Sequence, residues 1–155
     1  MISFRLGSHH FHYRAGAVLV DDDHLLLHQL EGDNFWALPG GRVNPGETGQ
    51  SAIRREFMEE LGISVECGPL LCTGENFFEY EGEPFHEVGL YFSAKLPSSS
   101  AFLVKNQVHL GTEAGRTLHF KWFPLIELQL IDMRPTALRY ALAGGTLPNH
   151  FVQQR

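Results

Sequence analysis

The stretch GRVNPGETGQSAIRREFMEELGI, residues 41–63, decides how this chain is read. Asn44, Pro45 and Gly46 form a turn signal, and Thr48 stands where a helix N-cap is wanted. No proline follows before Leu61, and Gly62 sits where a C-cap glycine would close the helix. Ile53, Phe57 and Leu61 recur every fourth residue and make a core-facing stripe. Glu56, Glu59 and Glu60 fall at i, i+3 and i+4, so their carboxylates share a second face. Like charges at these spacings destabilise a bare helix by roughly 0.2–0.5 kcal/mol per pair. A solvated acidic face carries that cost without return. A hard divalent cation offsets it, because magnesium is held by a few carboxylates while water and phosphate oxygens complete its shell.

These residues resemble, position for position, the signature of the Nudix hydrolases, G-x5-E-x7-REUxEExGU, where U is bulky and apolar. Gly41, Glu47, Arg55, Glu56, Glu59, Glu60 and Gly62 fill the seven fixed places. Phe57 and Ile63 fill the bulky ones, Phe57 where an aliphatic residue is usual. At average usages of about 5–7% per residue type, seven coincident matches arise by chance about once in 10⁸–10⁹ starting points. The lead-in FWALPGG, residues 35–41, is similar to the family's approach to this box.

The resemblance implies an α/β fold, the Nudix-type α/β/α sandwich with a mixed β-sheet. It implies one Nudix hydrolase domain over 1–155, with residues 1–10 expected as a loosely held leader. In the family the glutamates matching Glu56, Glu59 and Glu60 hold Mg²⁺ or Mn²⁺, with a backbone carbonyl from the glycine pair, here assigned to Gly40. The residues matching Glu47 and Arg55 pair to fix the loop against the helix, a task for a bidentate arginine. Gly41 and Gly62 support the same geometry. The implied reaction is hydrolysis of a pyrophosphate bond in a nucleoside diphosphate linked to another group, with Glu56 and Glu60 as catalytic residues. The alternative is a Nudix-fold module that binds nucleotides without turning them over; degenerate boxes mark that class, and this box is intact.

Composition is compatible with this reading. The chain has 155 residues and a formal charge of −6, so no nucleic-acid polymer is expected as a partner. No apolar run is long enough for a membrane span, no membrane partner is expected, and a cytoplasmic location is the expectation. Cys67 and Cys72 lie among no zinc-ligand set and read as free thiols. The partner expected is a small nucleotide-type molecule. Many relatives are dimers, and the aromatic stretch 77–92 is where a homodimer would form.

Outward from the box, residues 13–20 and 25–30 read as a hairpin around Asp21, Asp22 and Asp23. Residues 65–80 form an extended stretch broken at Gly68, Pro69 and Gly74, and 86–96 form another strand. Residues 97–116 read as a loop, 118–123 as a strand, and 124–130 and 135–143 as helices. Glu87 is singled out as a third catalytic candidate, because a carboxylate in an otherwise apolar strand needs a partner. Arg14, at the start of the first strand, is placed to reach phosphates. Phe35 is a candidate to stack on a base, and Tyr80 is a further candidate for substrate binding. The histidines at 9, 10 and 12, in the expected leader, make a poor metal site.

Overall fold

The structure, a computed structural model, describes residues 1–154. Strands β1 (Ser3–Leu6), β2 (His9–Asp21) and β3 (His24–Leu30) open the chain. Two short strands, β4 (Trp36–Ala37) and β5 (Gly40–Arg42), lead into helix α1 (Gly49–Leu61). A long hairpin follows, β6 (Glu66–Tyr80) with β7 (Glu83–Lys95), then a second, β8 (His109–Glu113) with β9 (Arg116–Pro124). Strand β10 (Met133–Arg134), helix α2 (Thr136–Gly144) and strand β11 (His150–Gln153) close it.

Strand β2 is the spine. Its residues 10–19 pair in parallel with β7, while its other edge takes β1, β5 and β3 in turn. The sheet is mixed, because β2–β7, β6–β11 and β4–β10 are parallel and the other pairs antiparallel. Helix α1 covers one face. Ile53 and Phe57 of its apolar stripe are buried with Ala15, Leu19, Phe120 and Trp122, each such side chain contributing roughly 1.5–3 kcal/mol of hydrophobic stabilisation. Helix α2 covers the other face, where Leu138 and Leu142 join Leu27, Leu38, Tyr91 and Phe123. The result is the expected α/β/α sandwich.

The helix signals are realised atom by atom. The Thr48 hydroxyl accepts from the amide of Ser51 at 3.1 Å, and Gly62 takes the left-handed conformation with φ 68°. Other expectations need correction. The first ten residues are not a loose leader: β1 pairs with residues 9–12, and the Ile2 amide donates to the Val43 carbonyl. The histidine-rich run is therefore part of β2. Residues 97–116 are not one loop, since they contain a 3₁₀ turn (Ala101–Leu103) and all of β8. Strand β6 does not break at Gly74; a side chain there would meet the Phe151 ring at 2.2 Å, so the glycine is a packing requirement. Among the described residues no helix is long and apolar enough to cross a membrane, and both cysteines are free.

Candidate active site

The turn before α1 depends on two glycines. Gly40 has φ 151°, and a Cβ there would lie 2.0 Å from the Ala15 carbonyl oxygen. A Cβ on Gly41 would lie 2.4 Å from the Glu56 carboxyl carbon, so the glutamate occupies the volume a side chain would take. Arg55 locks loop to helix. Its Nε and Nη2 donate to the two carboxylate oxygens of Glu47 at 2.8 and 3.0 Å, and Nη2 also donates to the Arg42 carbonyl. Its Nη1 donates to Glu56 at 2.7 Å and to Glu59 at 3.3 Å. The hydrogen bond from Arg55 holds the Glu47 carboxyl below its ordinary value of 4.5.

Glu56, Glu60 and Glu113 converge. Ligand oxygens of all three lie within 4.8 Å of one another. Glu60 is only 6% exposed, and its Oε2 is buried without a hydrogen-bond partner. Burial first, then the neighbouring Glu56 and Glu113, push its carboxyl up to about 9. Glu113 was absent from the sequence-derived set because it lies at the end of β8, in the segment read as loop. Gly111 lets that strand approach: a Cβ there would meet the Glu60 carbonyl oxygen at 2.7 Å. Glu59 is not brought into the trio; its side chain is 58% exposed and turns to Arg55. A trio of carboxylates around an orphaned buried oxygen fits a hard divalent cation such as Mg²⁺ or Mn²⁺ and does not suit a thiolate-seeking metal.

Beside the trio lies a cavity of about 520 Å³. Gly41, Glu56 and Glu113 line it on the side of the trio. Arg14 also lines it, donating one Nη2 bond to the Leu38 carbonyl at 2.9 Å. Phe35 and Tyr80 form part of its wall, ring centroids 6.2 Å apart and edge to face. The Arg134 guanidinium lies 4.4 Å from the Phe35 ring centroid, and the Tyr80 hydroxyl donates to Asp33 at 3.0 Å. Glu87 is in the cavity but outside the trio. It is 7% exposed, and its Oε2 lies 3.8 Å from His12 Nδ1.

The chain belongs to the Nudix family: the NUDIX domain model matches residues 10–143. It is similar to a MutT NUDIX hydrolase from Burkholderia pseudomallei, 30% identical with a TM-score of 0.56, covering 74% of this chain and 84% of that one. An ADP-ribose pyrophosphatase from Streptococcus suis shares the fold at 17% identity and TM-score 0.61, covering 90% of this chain and 98% of that one. Among curated relatives, an RNA pyrophosphohydrolase of Aeromonas hydrophila is 32% identical over 71 residues, 45% of this chain and 41% of that protein. The match therefore spans less than half of that relative's length.

Proposed function

We propose that the protein is a Mg²⁺- or Mn²⁺-dependent pyrophosphohydrolase acting on a nucleoside diphosphate linked to another group. The observation that carries this reading is the buried, unpartnered Glu60 oxygen facing Glu56 and Glu113. Three carboxylates gathered at one point repel one another, and Arg55 supplies a counter-charge to Glu56 alone among them, so a cation would complete the arrangement. Glu56, Glu60 and Glu113 would hold it, with the Gly40 carbonyl beside them. When bound, the ion neutralises phosphoryl charge and lowers the pKa of an attacking water.

The chain's own residues supply the rest. Arg55 fixes the Glu56 carboxylate through the 2.7 Å bond, and Glu56 would take the proton of the attacking water. Glu47, clamped by the same guanidinium, keeps the glycine turn closed on α1. Arg14 directs its remaining N–H groups to phosphate oxygens, and Phe35 and Tyr80 offer flat surfaces to a base. The RNA pyrophosphohydrolase relative is named for cleavage of this bond type, which supports the reaction class.

The test is phosphate or nucleotide release from a panel of nucleoside triphosphates, nucleotide sugars, ADP-ribose and dinucleoside polyphosphates, with and without each metal. Metal-dependent cleavage is expected, lost by about a hundredfold or more in Glu60→Gln while the circular dichroism spectrum stays the same. Metal binding without turnover of any panel member would favour a nucleotide-binding module. Unchanged turnover in Glu60→Gln would remove it from the ligand set.

A further inference from the structure

We propose that Asn76 and Glu87 read the edge of a guanine base, so that the nucleotide taken by this cavity is a guanine nucleotide. The proposal deepens the pyrophosphohydrolase reading and rests on it for the position of the phosphates.

The two residues are direct partners across the antiparallel pair of β6 and β7, and Glu87 is also the direct partner of His12 across β2 and β7. Asn76, Glu87 and His12 therefore form one polar row on one face of the sheet, and all three line the cavity. Asn76 and Glu87 are each 7% exposed. Among the described residues neither side chain makes a hydrogen bond, and the 3.8 Å separation from His12 is too long for one. Burying a carboxylate and a carboxamide together without partners is costly. Both line the cavity, so what fills it is placed to supply their partners.

The chemistry of the row selects the occupant. A carboxylate offers acceptors alone, so the group opposite Glu87 must present donors. Guanine carries two adjacent donors on its Watson–Crick edge, N1–H and the 2-amino group, with the O6 acceptor beside them. Adenine and cytosine each place a ring lone pair next to a single amino donor, and uracil flanks its one N–H with carbonyls. Glu87 accepts both guanine donors, and the Asn76 amide donates to O6. Cross-strand partners with Cβ atoms about 5 Å apart suit that edge. The next row toward the hairpin tip on the same face is Phe78 opposite Phe85, which also line the cavity. An aromatic wall there, with Phe35 and Tyr80, suits a planar base better than a sugar.

The experiment is calorimetric titration, in magnesium, with nucleoside monophosphates, which lack the bond to be cut. GMP is expected to bind at least about tenfold more tightly than IMP, which lacks the 2-amino group, and than AMP. The 2′-deoxy form of GMP should match GMP. Glu87→Gln, whose carboxamide suits adenine, should shift the preference from GMP toward AMP, an effect that loss of packing alone would not produce. Equal affinities for GMP and AMP, absence of GMP binding at millimolar concentration, or unchanged selectivity in Glu87→Gln would overturn the proposal. A preference for ribose over deoxyribose without base preference would assign the row to the sugar instead, and also overturn it. Because no turnover is read, GMP selectivity without hydrolysis of any substrate would sink the reaction and leave the base-reading pair standing. Hydrolysis without base preference would do the reverse.

Discussion

A methyl group on Gly40 would collide with the Ala15 carbonyl at 2.0 Å, at a φ of 151° that L side chains rarely adopt. Gly40→Ala is therefore expected to lose about 3 kcal/mol or more of stability, measurable by urea denaturation; an unchanged midpoint would mean that the turn reshapes freely. Arg55 makes five hydrogen bonds in a planar fork, which lysine cannot reproduce. Arg55→Lys should lower kcat by about tenfold or more and reduce the melting temperature as well. The same contact sets a pH dependence. Because the folded Glu47 carboxyl lies below its ordinary 4.5, the stability it contributes is present above that value and lost as pH falls through the lowered one. Thermal melts below pH 4.5 should show this loss in the wild type and a shallower one in Arg55→Lys. At this scale the shared helix face of Glu56 and Glu60 was legible from spacing, and the pairing of Glu47 with Arg55 from the family resemblance. The turning of Glu59 toward Arg55 was not, because spacing names a helix face but not the depth at which each member of it is buried.

Strands and helices differ in how openly they announce themselves. Helix α1 carries its own cap residues and stripe, so its bounds could be read locally. The β8–β9 hairpin could not, because its turn places Ala114 and Gly115 at φ 48° and 80°, and alanine is a rare choice there. The β-prone Thr112 and Thr117 on either side of Gly115 were the available signal. Strand β3 holds another element-scale consequence. His28 packs against Phe120, and burial, followed by the charge of Arg14, pushes its imidazole down to about 3. The unfolded chain binds a proton at about 6.5 while the folded one does not, so stability falls as pH drops from 6.5 toward 3. His28→Gln should flatten that part of the stability–pH curve, measured by denaturant melts. A curve identical to wild type would place the histidine in a wetter setting.

Two cores lie on opposite faces of one sheet and share β2, so the molecule is expected to unfold in a single transition. Strand β1 is an edge element with Phe4 and Leu6 largely exposed, yet its backbone closes onto both β2 and Val43. Deleting residues 2–8 should lower the melting temperature by a few degrees and keep one transition; no change would show the strand to be dispensable. What the sequence by itself determined was the local chemistry: the capped helix, the glycine turn, the arginine clamp and the acidic face, all written within residues 40–63. Spacing along a chain translates directly into geometry only where one regular element carries all the groups. The third carboxylate of the trio, the placing of Glu87 beside Asn76 and His12, and the enclosure of Glu60 were decided by tertiary structure. Those groups come from different elements, and their meeting depends on sheet register and on glycines such as Gly111 that let the layers approach.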